Sequence, residues 1–390
     1  MILVVDSPLT ARDRDRYQLD WLLQSEFQVS VWDVHDLFLP RVDSPILDVD
    51  GIDYRTFLSQ SNLAEAMKEL NGSDVVLVLS GMERGLERRY HNLREAVLRS
   101  NARVGAISAG TKPVGEADLR PLTFRGRLLR ALREMRFGRL SLARACRRLW
   151  QIVFRRRVQV ALDRPALKWT WTGPDESIID ELVLGSETQS RALHTWDFDS
   201  ELRKPVIRTP RQGLVFVESM GPTHPDFAVL GIPTFVTPDS WFAAVRSWLS
   251  SISDDLNESV VVAAHPRAAP GSLDSHYAPF KVLYGASREL LANAKVVVAA
   301  EPSTALGWCA LYKTPIALAQ IADLYPLHWP EMRAYSQELG VPVLEDPADV
   351  VIGLKCDGFT PSPSFVDKYM AAQDAPPIPF WETVLNDIQS

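Results

Sequence analysis

VVVAAHPRAAPG, Val260 to Gly271, is an apolar run that stops at His265-Pro266-Arg267. VVVAAEPSTALG, Val296 to Gly307, repeats the layout: five apolar residues, one polar residue, a proline, then a loop. Short continuous apolar runs bounded by turn residues read as strands covered on both faces, the pattern of a parallel sheet. Two such strands ending in polar loops outline one edge of a ligand site. If the two strands pair directly, their loops stand side by side.

Working outward, helical and strand patterns alternate. Gly213–Val217, Ser259–Ala264, Lys295–Ala300 and Pro315–Leu318 read as strands, and Ser240–Ser251, Ser287–Ala294 and Thr304–Tyr312 as helices. The amino-terminal part repeats the alternation. Ile2–Val5, Phe27–Trp32, Asp74–Leu79 and Arg103–Ile107 are expected strands, and Arg12–Gln24 and Leu86–Arg99 expected helices. Leu167–Thr172 and Glu181–Leu184 look like short strands, and Trp381–Ile388 like a closing helix. Strand–helix alternation indicates βαβ units.

The chain has 390 residues, which suits two domains of ordinary size. The polar, proline-containing stretch Asp197–Arg211 reads as their junction. The expected organisation is α/β, with two Rossmann-like domains, 1–205 and 206–390, facing across a cleft. Apolar residues are 46% and charged residues 23%, ordinary for a globular protein. No apolar stretch reaches the length of a membrane-spanning helix. The start, with acidic flanks on a short apolar run, is not a signal peptide. Cys146, Cys309 and Cys356 form no CxxC pair, so a reducing cytoplasm is expected and a zinc site is not.

The net charge of −7 is uneven. Arg120–Arg157 carries thirteen arginines against Glu134 alone, +12 locally, which leaves −19 on the remainder. Leucines, Trp150 and Phe154 interleave with these arginines. A basic helical insertion at about 120–157 would suit an anionic membrane surface, here the inner membrane. The acidic remainder argues against nucleic acid as a partner.

GxGxxG after the first strand, GxxxxGK[ST], HExxH and GxSxG are all absent, which disfavours dehydrogenases, P-loop NTPases and the common hydrolases. The strand ends remain. A histidine at His265 can donate to a phosphate or protonate a leaving oxygen. Arg267 adds a permanent fork of donors. Ser303 and Thr304 open a helix, where hydroxyls and free N–H groups receive anions. The loop Glu218–Phe227, with His224 and Asp226, should face the same cleft.

The HPR loop, the later Ser303-Thr304 pair, the helix after it and KTPI (Lys313–Ile316) resemble the carboxyl-terminal domain of bacterial GT-B glycosyltransferases, above all the sialyltransferase-type enzymes of surface-polysaccharide synthesis, those of capsule and lipopolysaccharide. RDRDRYQLDWLLQSEFQVSVWDV, Arg12 to Val34, also looks like the opening of surface-carbohydrate transferases. The resemblance implies a CMP-linked nonulosonic acid as donor and a glycan or lipid-linked glycan as acceptor. It implies that His265, Ser303 and Thr304 hold the CMP phosphate, with inverting transfer and neither metal nor cofactor. The family's acidic-acidic-Gly base motif is missing, which leaves Asp6, Asp13, Asp15 and Glu83 as candidate bases. Asp13-Arg14-Asp15 also matches the metal-binding DxD pattern, but its place at a helix start favours the helix dipole instead. Two rivals stand: a transferase using a UDP-, GDP- or ADP-sugar, with Lys281 or Lys313 on the second phosphate, and a non-catalytic protein that docks at a membrane.

Overall fold

The computed structural model describes residues 1–6, 9, 11–38, 51–79, 93, 95–97, 99–109, 113, 167–174, 187–224, 227, 233–325, 328–355, 359–376 and 378–390. Within them the chain forms two compact units. The first holds the described residues of Met1–Gly110 and Arg120–Leu193 together with Trp381–Ser390, and the second holds His194–Phe380 with Pro113. The expected boundary at 205/206 differs from this division. Part of the expected junction is the helix Trp196–Arg203, because Thr195 caps it at Phe198 N (3.3 Å) and the Trp196 ring lies 3.8 Å from that of Phe380. The basic block 120–157 and the expected strand Glu181–Leu184 lie outside the described residues, as does most of the expected helix Leu86–Arg99.

The first unit has a seven-stranded sheet of β1 (Ile2–Val5), β2 (Ser30–Asp33), β3 (Asp53–Thr56), β4 (Val75–Val78), β5 (Arg103–Ser108), β6 (Trp169–Thr172) and β7 (Gln189–Ala192), in the order β3-β2-β1-β4-β5-β6-β7. Every neighbouring pair is parallel. β1 and β4 are buried at all four positions, as a sheet covered on both faces requires. The last helix, Phe380–Gln389, anchors to this unit through Trp381 Nε1, which donates to Tyr17 O at 2.7 Å, and through Asp387, which accepts from Trp171 Nε1 at 2.9 Å. The expected helix Arg12–Gln24 is two short helices, Ala11–Arg16 and Leu19–Leu23, parted where Gln18 takes a left-handed φ of 50°.

The second unit has a six-stranded parallel sheet of β8 (Gln212–Val217), β9 (Val260–Ala263), β10 (Lys281–Leu283), β11 (Ala294–Ala299), β12 (Ile316–Ala319) and β13 (Val343–Leu344), in the order β10-β9-β8-β11-β12-β13. The helix Pro238–Leu256 covers one face. Thr237 accepts from Ser240 N at 3.3 Å, its own N–H donates to Ser240 Oγ at 3.1 Å, and Pro238 starts the first turn. Asn257, at φ 50°, ends it. Trp241, Phe242, Val245, Trp248, Leu249 and Ile252 recur at helical spacing and are buried, each stabilising by about 1.5–3 kcal/mol. They meet Leu214, Phe216, Val262 and Val298 in one core.

Candidate functional site

In the second sheet the strand order reverses at β8. β9 and β10 follow on one side and β11 to β13 on the other. Ligands of open α/β sheets bind beyond the carboxyl ends of the strands at such a reversal. Three polar residues mark it: Glu218 after β8, His265 after β9 and Glu301 after β11. The expected side-by-side strands do not occur. β8 separates β9 from β11, so the loops of His265 and Ser303 flank the Glu218 loop.

His265 is half-buried, and its Nδ1 accepts from Arg267 N at 3.2 Å. That bond keeps the proton of the neutral ring on Nε2, the tautomer a donor to phosphate needs. Arg267 itself is exposed. The structure brings His224 to His265, with ring centroids 5.1 Å apart and edge to face. His224 is delivered by the turn Met220–Thr223. Met220 adopts φ 67°, and Gly221 lies so close to Trp241 that a Cβ would meet its Nε1 at 2.3 Å.

Ser303 and Thr304 precede a helix that begins at Leu306, two residues after the expected start. Ser303 Oγ accepts from Ala305 N at 3.2 Å, and its carbonyl accepts from Leu306 N at 3.1 Å. The hydroxyl thus closes a local turn. Thr304 is exposed. Asp13 lies in the first unit, on the helix Ala11–Arg16. Glu83, Asp226 and the side chain of Asp15 lie outside the described residues. Lys281 opens β10, and Lys313 precedes β12, so both stand at the amino-terminal edge of the sheet, opposite His265.

Sequence reasoning passed over the two buried acids. Glu218 Oε1 accepts from Met220 N at 2.6 Å and from Tyr277 OH at 3.3 Å, and Oε2 accepts from His265 N at 3.4 Å. Burial pushes its pKa up to about 7, against those three bonds. The backbone N–H of Gly221 favours the charged form of Glu301. Its pKa is raised first by burial and then by the charge of Glu218. No ion pair joins either acid to a cation among the described residues. Behind Glu301, His328 Nε2 donates to Ala300 O at 2.8 Å, and its Nδ1 accepts from Leu324 N at 3.3 Å. Burial lowers the pKa of that imidazole. The available signal was position: each acid is the first charged residue after an apolar strand.

The first unit has a comparable group. Asp33, at the end of β2, accepts from His35 N at 2.8 Å and from Tyr54 OH at 2.7 Å. His35 Nδ1 donates to Asp6 O at 3.2 Å. Burial raises the Asp33 pKa, and burial together with Asp33 raises that of Tyr54. Among the described residues no cluster of three His, Cys, Asp or Glu is placed to hold a metal, and no helix is long and apolar enough to cross a membrane.

No protein-family model matches the sequence, and no curated protein matches it in sequence. Solved structures do match in shape. A histidine variant of the wall teichoic acid polymerase TagF is similar over 100% of this chain and 87% of its own, at 10% identity and TM-score 0.52. The same TagF variant soaked with CDPG covers 100% and 89%, at 10% identity and TM-score 0.50. The spinosyn forosaminyltransferase SpnP covers 100% and 99%, at 13% identity and a TM-score of 0.48. Two parallel doubly wound sheets and the likeness to TagF along the whole chain make this a GT-B fold.

Proposed function

We propose that this chain is a glycosyltransferase whose nucleotide-sugar donor binds at the carboxyl ends of β8, β9 and β11, and that the donor is a CMP-linked nonulosonic acid. The observation that carries the reading is the His224–His265 pair at the strand reversal, with the His265 proton held on Nε2. In this reading Nε2–H donates to the phosphate oxygen that takes up charge as the sugar leaves, and Arg267 and the Ser303-Thr304 turn add donors. Preorganised donors act where charge develops, without reorganisation at the moment of reaction. A carboxylate of the first unit, one of Asp6, Asp13, Asp15 and Glu83, takes the acceptor's proton, and the acceptor is a bacterial surface glycan. The basic block 120–157 would bring the enzyme to a lipid-linked acceptor at the inner membrane.

A donor with one phosphate is favoured over a diphosphate. The lysines suited to a second phosphate, Lys281 and Lys313, stand at the opposite sheet edge. The test is calorimetric binding of CMP, UDP, GDP and ADP to the full chain and to His265→Ala. Selective CMP binding, weakened tenfold or more by the substitution (~1.4 kcal/mol), supports the reading. Tighter UDP, GDP or ADP binding moves the donor to a diphosphate sugar. No binding overturns the transferase reading in favour of a docking protein.

A further inference from the structure

Two carboxylates stand where the proposed function puts an anionic phosphate. Glu218 and Glu301 leave neighbouring paired strands, with Val217 opposite Ala299. Both are buried, and no cation pairs with either among the described residues. They also hold the two loops in question. Glu218 receives Met220 N and His265 N, and the Gly221 N–H acts on Glu301. The backbone of His265 and the turn that delivers His224 are thus tied to Glu218.

We infer that Glu218 and Glu301 form an electrostatically coupled pair whose protonation is linked to nucleotide binding at the His265 loop. This rests on the donor-site reading above. A phosphate arriving at His224 and His265 adds negative charge beside two buried acids, and like charges in a poorly solvated site cannot all stay ionised. The pair answers by taking a proton from solvent. The ligand remains unchanged, and one proton moves from buffer to carboxylate.

Among the described residues, the pair is surrounded by several titratable groups, with Glu331 bonded to Tyr325 and Asp323 acting on His328 at the outer edge. The β8 loop brings His224, and the β9 loop brings His265 and Arg267. Tyr277 donates to Glu218. Arg246, on the covering helix, acts on Tyr277 rather than on the acids. Tyr325 feels Glu301, and His328 is tied to Ala300 O and Leu324 N. His224 and His265 are the imidazoles on the loops where the phosphate would bind, so the test below separates them from the acids. Burial raises the pKa of both acids, to about 7 for Glu218, and the charge of Glu218 raises that of Glu301 further.

The experiment is calorimetry of CMP binding to the full chain in HEPES and in Tris at about pH 7, then at about pH 6.5 and about pH 8. UDP, GDP or ADP replaces CMP if it binds more tightly. Coupling predicts a heat that differs between buffers and corresponds to net proton uptake, with Kd rising by up to about tenfold per pH unit. Glu301→Gln and Glu218→Gln, each checked for a native circular dichroism spectrum, should lose much of the uptake and flatten the pH dependence. Uptake that persists undiminished in both variants assigns the proton to the histidines and overturns the inference. Binding by the wild type without uptake overturns it and leaves the transferase reading standing. Failure of all four nucleotides to bind overturns both.

Discussion

Glu218→Gln isolates a buried charge, because glutamine keeps the size of the side chain and one carbonyl acceptor. The Glu218 carboxyl titrates near 4.5 when unperturbed and at about 7 in the folded protein, with burial as the main cause. The folded state therefore binds this proton more tightly than the unfolded state. Its stabilising contribution is complete below about pH 4.5 and is lost as pH rises through about 7. At ~1.4 kcal/mol per pH unit the interval amounts to about 3 kcal/mol, which in a domain of this size is about 6–12 °C in Tm. Glu301 acts with the same sign. The assay is thermal and urea unfolding of the wild type and the variant at about pH 5 and about pH 8. The wild type should lose about 2.5 kcal/mol more than the variant between the two. Parallel pH dependence in the two proteins would refute a buried, proton-holding Glu218.

Two further substitutions test the geometry. Gly221→Ala puts a Cβ at 2.3 Å from Trp241 Nε1 on a backbone of φ +47°, so it should destabilise by about 2–4 kcal/mol and displace His224. Urea midpoints read this against Gly72→Ala, where nothing lies within 4 Å, and equal midpoints would exclude the close approach. Asp387→Ala leaves buried Trp171 Nε1 without its 2.9 Å partner and removes the 2.7 Å ion pair of Arg191, at a cost of about 1–3 kcal/mol. A change in unfolding free energy below about 0.5 kcal/mol, the level of an ordinary surface substitution, would count against that network.

The parallel sheets were legible because Val75–Val78, Val260–Ala263 and Val296–Ala299 are largely buried on both faces, and continuous apolar runs encode that directly. Edge strands were not. Asp53–Thr56 is polar and mostly exposed, Lys281–Leu283 is three residues long, and neither carries a run. The helix His328–Leu339 was missed because Trp329-Pro330 reads as a breaker, although proline is tolerated in a first turn. His265 and His224 stood out as histidines in polar loops. Glu218 and Glu301 did not, since a charged residue after a strand ordinarily points to water. Burial of these acids depends on strand order, and strand order is what the spacing of VVVAAHPR and VVVAAEPS left open.

The two units solve one local problem alike. Beyond the carboxyl end of a parallel sheet, loop N–H groups lose their strand partners and need acceptors. An ionised carboxylate accepts through both oxygens and presents no donor, so it can gather several N–H and O–H groups where an amide would turn its own NH₂ on them. Asp33 gathers His35 N and Tyr54 OH, and Glu218 gathers Met220 N, His265 N and Tyr277 OH. The units part at the second acid. Burial raises the pKa of Glu301, and the charge of Glu218 raises it further, so a change of charge on one acid is felt by the other. Glu218 is the member of the pair bonded to the backbone of His265. Charge placed on that histidine loop therefore reaches the pair through Glu218.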